Sequence, residues 1–138
     1  MANTYSFIVY GEAIPKGSTR AFVVNGKAVT TNANKRTKDW QTLVSMAAQE
    51  KKPDKPIAGG VMILLKFYLP RPKSVSKKKR PLPIVKPDID KLIRCILDAL
   101  TGIYFTDDAQ VCEVKALKRY GETPRVEIFV AGQEGEGI

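Results

Sequence analysis

Four aspartates carry most of the chemical promise of this sequence. Asp88 and Asp90 stand one residue apart in the stretch Lys86-Pro-Asp-Ile-Asp-Lys-Leu-Ile-Arg94, and Asp107-Asp108 follow downstream. On a regular helix, a one-residue gap turns through about 200° and sends two side chains to different faces. In extended backbone the same gap puts them on one side. Pro87 favours extended geometry at Lys86, and the helical pattern starts only after Asp88. The pair therefore straddles a loop-to-helix junction, where both carboxylates can turn towards one point. Two such charges about 4 Å apart repel by roughly 4 kcal/mol at an effective dielectric of 20, and a divalent cation turns that repulsion into binding. Mg²⁺ commonly takes one or two carboxylates, several waters and phosphate oxygens. The plainer account makes Asp88 a helix N-cap, Asp90 a favourable first-turn acid and Asp107-Asp108 an ordinary turn. Against it stands the placement of the two acidic pairs. A helix and a reversal separate them, so the returning strand could bring Asp108 back beside Asp90. Three carboxylates around a hard cation suit phosphodiester hydrolysis.

Composition removes the competing chemistries. There is no histidine, so a zinc site of the usual nitrogen and sulfur type and catalysis by a histidine base are both excluded. Cys95 and Cys112 do not form a Cys-x-x-Cys pair and are read as lying in apolar surroundings. The 23 basic and 14 acidic side chains give a net charge of +9, which points to a polyanionic partner, nucleic acid above all. The bland alternative is a solvated basic surface. Arg71, Lys73, Lys77, Lys78, Lys79 and Arg80 crowd one segment and are the expected phosphate contacts, with Lys16, Arg20, Lys35, Arg36, Lys38 and Lys86 extending the surface towards the acidic site. No apolar run approaches a membrane span and no secretory signal opens the chain, so a soluble, cytoplasmic protein is expected.

The elements that must hold these groups follow from periodicity. Tyr5–Tyr10 is rich in strand formers, and Asn25-Gly26 between two short apolar runs is a strong hairpin signal. Trp40, Leu43, Val44, Ala47 and Ala48 recur at helical spacing over about 37–51, and Trp40 and the aromatics of the first strand read as core. Val61–Leu69 predicts a central strand. A long proline-rich basic loop spans 70–87, either functional or mobile. Leu92, Ile93, Ile96, Leu97 and Leu100 define a second helix from Ile89, with Gly102 at its end. Val111–Tyr120 and Arg125–Val130 read as a final pair of strands, and 131–138 as a frayed, flexible tail. The expectation is one α+β domain, 1–138, with a mixed sheet and two main helices.

The run Lys-Pro-Asp-Ile-Asp-Lys-Leu-Ile-Arg-Cys-Ile-Leu-Asp-Ala-Leu-Thr-Gly from Lys86, followed by Asp107-Asp108-Ala-Gln-Val, resembles the signature of RusA-type Holliday junction resolvases. These are small endodeoxyribonucleases frequent in prophages. The resemblance is tightest over 86–111, and the order and length of the other elements agree with it. It implies a homodimer that binds four-way junction DNA in recombination and repair and makes paired nicks with Mg²⁺, or Mn²⁺ in its place. Position by position, it puts Asp88, Asp90 and Asp108 at the metal. Two positions depart from the pattern. Lys91 stands where the family usually has asparagine, and Arg94 where it often has lysine. Arg94 keeps the charge but does not readily exchange a proton; Lys91 is the alternative for that role, and Arg94 could instead pair with Asp98 along the helix. The rival from a different class is a non-catalytic nucleic-acid-binding module, whose binding would ignore both Mg²⁺ and Asp90→Asn.

Overall fold

The computed structural model describes residues 4–17, 20–31 and 35–133. Along them run β1 (Thr4–Tyr10), β2 (Arg20–Val24), β3 (Lys27–Thr31), α1 (Lys35–Glu50), β4 (Gly60–Leu69), α2 (Ile89–Leu100), a 3-10 turn (Asp108–Gln110), β5 (Val111–Tyr120) and β6 (Arg125–Gln133). The most apolar strand takes an inner place, because only neighbours on both edges satisfy its backbone while its side chains leave water. β4 lies between β6, to which it is antiparallel, and β5, to which it is parallel; β1 completes the order β1-β6-β4-β5 on the far side of β6. The fold is α+β with a mixed four-stranded sheet and two main helices. β2 and β3 form a separate hairpin, closed by Asn25 and Gly26, both at positive φ (51° and 76°), as this tight turn requires.

Side chains alternate across the sheet, and one face carries the core. Phe7 and Val9 from β1, Val61, Ile63, Leu65 and Phe67 from β4, and Val126, Ile128 and Val130 from β6 are buried together. The helices close this face with Trp40, Val44 and Ala48 of α1 and Leu92, Cys95, Ile96, Ala99 and Leu100 of α2. Tyr104 is fully buried below them, and its hydroxyl donates to Ala48 O at 3.1 Å. α2 ends where Gly102 turns to positive φ (87°), a conformation glycine adopts without cost.

The last two strands, β5 and β6, are present as read, and β4 lies between them, a neighbour order the sequence left open. Several sequence expectations need correction. Ala131–Gln133 continue β6, with Ala131 paired to both Thr4 and Met62, so the strand runs past Val130; residues 134–138 lie outside the described residues. Leu43 is half exposed rather than core, and Tyr10 projects into solvent. Cys112 is exposed, while Cys95 is buried as read.

The packing predicts an asymmetry between two apolar residues. Phe67→Ala removes a fully buried ring and should cost about 3–5 kcal/mol in urea unfolding. Leu43→Ala, at a half-exposed position, should cost less than about 1 kcal/mol.

Candidate active site

Asp88 occupies the N-cap of α2 in extended backbone (φ −70°, ψ 139°), yet its side chain makes no capping hydrogen bond. Its carbonyl accepts the first intrahelical hydrogen bond, from Leu92 N at 3.2 Å, as any N-cap carbonyl does, and leaves the side chain free of the helix end. The carboxylate is exposed and lies 3.5 Å from Lys91 Nζ, one turn along. Asp90 is the acid of the first turn, where the helix dipole favours negative charge; it is exposed and makes no side-chain hydrogen bond or ion pair among the described residues. The account of Asp88 as a mere cap therefore describes its position but not its side chain. Both carboxylates are available at the surface.

Beside Asp88 opens a cleft of about 360 Å³, lined by Glu12, Pro15, Arg36, Lys86, Pro87 and Lys91 among others. Three cations and two carboxylates face one another there. Glu12 accepts from Arg36 at 3.5 Å. Glu12 was not legible as a site residue, because only the packing of the chain after β1 against the start of α2 places it there; Lys16 N donating to Lys91 O at 3.0 Å is part of that contact.

The second acidic pair divides its labour. Asp107 caps the 3-10 turn, accepting from Ala109 N at 2.8 Å, while Gln110 reaches back to the capping residue in a reciprocal box. Gln110 Oε1 accepts from Asp107 N and from Thr106 N and Oγ1, and Gln110 Nε2 donates to the carbonyls of Ile57 and Gly59. One amide thus staples the turn to the chain entering β4. Asp108 is exposed and uncommitted among the described residues.

The two acidic sites are not neighbours within one chain. β5 starts beside the start of β4, where the Gln110 staple lies, and ends beside its end, with Tyr120 opposite Leu69. At that far end Lys118 Nζ donates to Val85 O and Pro87 O, each at 2.8 Å, beside Asp88. Asp88 and Asp90 thus stand at one end of the sheet and Asp108 at the other. The helix from Asp90 to Leu100 alone spans roughly 15 Å, and the strand between the two anchors about 25 Å. The expectation that the returning strand brings Asp108 back beside Asp90 does not hold inside a single chain, since the strand returns parallel to β4 and must start at the opposite end. Among the described residues no group of three or more acidic, cysteine or histidine side chains is close enough to hold an ion. The donor set present is nonetheless suited to a hard divalent cation. It consists of exposed oxygen donors, and burial pushes the Cys95 thiol up to about 11, which keeps it protonated.

The basic residues also sort themselves. Arg71 and Arg80 both make contacts that shape the 70–87 loop. Arg71 lies over the Tyr120 ring at 4.2 Å and donates to the carbonyls of Ser76 and Arg80, and Arg80 Nε donates to Tyr120 Oη at 2.9 Å. Lys73, Lys77, Lys78 and Lys79 are exposed on the loop so held, and Lys86 borders the cleft. Lys16 pairs with Asp98 at 3.0 Å, which removes the Arg94–Asp98 pairing considered above and leaves Arg94 exposed. Arg20 begins β2, and its side chain lies outside the described residues.

Comparison with known proteins agrees with the motif. The model of the endodeoxyribonuclease RusA family matches residues 12–131. A Bacillus subtilis (strain 168) protein, the uncharacterized protein YqaN, is 35% identical over 133 residues, covering 90% of this chain and 93% of the relative. The chain belongs to the RusA endodeoxyribonuclease family.

The staple at Asp108 gives a direct prediction. Gln110→Ala removes five hydrogen bonds around one turn. It should lower stability by about 1–3 kcal/mol in chemical denaturation and raise hydrogen exchange at the amides of Thr106–Ala109. Asp108→Asn, which touches none of those bonds, should leave both unchanged.

Proposed function

We propose that this member of the RusA family is a Holliday junction resolvase, a homodimer that nicks four-way DNA junctions symmetrically in recombination and repair, with Mg²⁺ as cofactor and Mn²⁺ able to replace it. The observation that carries the reading is the exposure of Asp88 and Asp90, uncapped, at a helix start beside a basic cleft. A protein of net charge +9 that leaves two carboxylates, one residue apart, exposed at such a place has a use for them beyond solubility. The cytoplasm of a bacterium, with a prophage as a source of the gene, is the setting proposed. No helix among the described residues is long and apolar enough to cross a membrane.

The separation of Asp108 from Asp90 gives the dimer a chemical reason. In a two-fold pair, whatever one chain offers the other is returned. One chain's Asp88 and Asp90 with Asp108 of the partner subunit make one site, and the reciprocal set makes a second. Two equivalent sites related by a two-fold axis match paired nicks in a two-fold junction.

When bound, the cation supplies an activated water and neutralises charge at the leaving oxygen. The chain's own residues prepare for this. Asp88 and Asp90 provide hard oxygen ligands. Lys91, 3.5 Å from Asp88, offsets part of that carboxylate's charge and would lie beside a phosphate brought to the site. Arg94, one turn beyond Asp90 and exposed, offers a guanidinium fork to the phosphate oxygens without giving up a proton, so the proton-donating role falls to Lys91. Lys73, Lys77, Lys78, Lys79 and Lys86 track the backbone, each neutralised phosphate steepening the salt dependence of log K by about 0.9. Arg71 and Arg80 contribute by shaping the loop, and Lys16 by its pair with Asp98.

The test is cleavage of an end-labelled four-way junction against linear duplex, in Mg²⁺ or EDTA, by wild type and by Asp88→Asn, Asp90→Asn and Asp108→Asn. Symmetric Mg²⁺-dependent nicking of the junction alone is expected, lost in all three variants. Junction binding in EDTA should persist in each, because removing a negative charge cannot weaken attraction to phosphate. Equal cleavage of linear duplex would replace the resolvase reading with a general nuclease. Tight junction binding without any cleavage would leave a binding module.

A further inference from the structure

The segment that delivers Asp88 is gripped from the side by a residue no local motif marks. Lys118 stands near the end of the edge strand β5, opposite Phe67, which faces the core. Its aliphatic stem thus runs along the apolar layer and carries the ammonium to the start of α2. There Nζ donates to Val85 O and Pro87 O at 2.8 Å each, and no carboxylate pairs with it among the described residues. Pro87 O belongs to the peptide unit that joins directly to Asp88. On the other side of Asp88 its own carbonyl is tied to Leu92 N, and Lys91 O to Lys16 N. Asp88 is therefore fixed between two anchors, one on the strand and one in the helix.

Partial withdrawal of an ammonium from water onto two neutral carbonyls is not the cheapest use of a lysine on an edge strand, where a solvated charge would suffice to blunt the edge. The arrangement makes sense if the curve of 85–87 matters. We infer that Lys118 is a positioning residue for the proposed metal site: it fixes the backbone before Asp88, holds the Asp88 carboxylate in register with Asp90, and so sets the affinity for the divalent cation. This rests on the reading of Asp88 and Asp90 as metal ligands.

Position and charge act in opposite directions here, which makes the inference testable. Were Lys118 only a nearby positive charge, its removal would strengthen cation binding. If it positions Asp88, removal weakens binding. The experiment is Mn²⁺ binding to the full-length protein without DNA, followed by the electron paramagnetic resonance of free Mn²⁺, for wild type, Lys118→Met, Lys118→Arg and Asp88→Asn. Lys118→Met should weaken Mn²⁺ binding by about 10-fold or more, the usual size for loss of a group that orients a ligand. Lys118→Arg should recover most of it, because the guanidinium fork can still reach two carbonyls. Junction binding in EDTA should change little in either. If Lys118→Met does not fold, Lys118→Gln, which keeps a donor but no charge, should show a smaller loss in the same direction. Equal or tighter Mn²⁺ binding in the folded variant overturns the inference while a weakened Asp88→Asn keeps the metal site standing. A wild type that binds no Mn²⁺, or an Asp88→Asn variant that binds it equally well, overturns both.

Discussion

Two parallel strands cannot be joined by a tight turn, because the chain leaving the first must travel back along the sheet before it can enter the second. The pairing of β4 with β5 imposes that journey here, and α2 makes it. The positions of Asp88, Asp90 and Asp108 follow. The loop after β4 delivers Asp88 and Asp90 at the end of the sheet where β4 finishes, and the turn before β5 delivers Asp108 at the end where β4 begins. β5 carries an anchor at each end, the Gln110 staple and the Lys118 clamp. One strand thus fixes the two acidic pairs while holding them apart.

The same sheet explains how a strongly basic chain keeps its cations useful. Tyr120, the last residue of β5, gathers Arg71 over its ring and Arg80 at its hydroxyl. A proline-rich segment that would otherwise sample many shapes is folded against the sheet, leaving its lysines outward. Phosphate contacts from a loop already shaped lose less conformational entropy on binding than contacts from a mobile one. The loop, read from sequence as functional or mobile, is shaped by two of its own arginines, Arg71 and Arg80.

What could be read in the sequence was what local pattern determines. The apolar spacing of Leu92, Ile96 and Leu100 marked α2, Asn25-Gly26 the hairpin turn, and the near-continuous apolar run Val61–Leu69 the central strand. Asp107-Asp108-Ala-Gln even contains the capping-box spacing that separates a structural aspartate from an uncommitted one. Strand partners were not legible, since the choice between pairing β5 with β6 or with β4 is settled by which faces can be buried together. That choice decides whether Asp108 meets Asp90, so the relative placement of the two acidic pairs could not be read before the sheet order was known. Lys118, Glu12 and the Lys16–Asp98 pair depend on contacts between residues distant in sequence and leave no spacing to find.

The central claim is that each site draws Asp88 and Asp90 from one chain and Asp108 from the other. It is tested most directly by co-expressing Asp90→Asn and Asp108→Asn chains under two different affinity tags, purifying the doubly tagged dimer, and assaying junction cleavage. If the sites are shared, one site of the mixed dimer collects both mutations and the other none, so nicking returns at about half the wild-type number of sites, while each homodimeric variant stays inactive. If the doubly tagged dimer is as inactive as its parents, or no such dimer forms, the three aspartates do not assemble across two chains and the account is wrong.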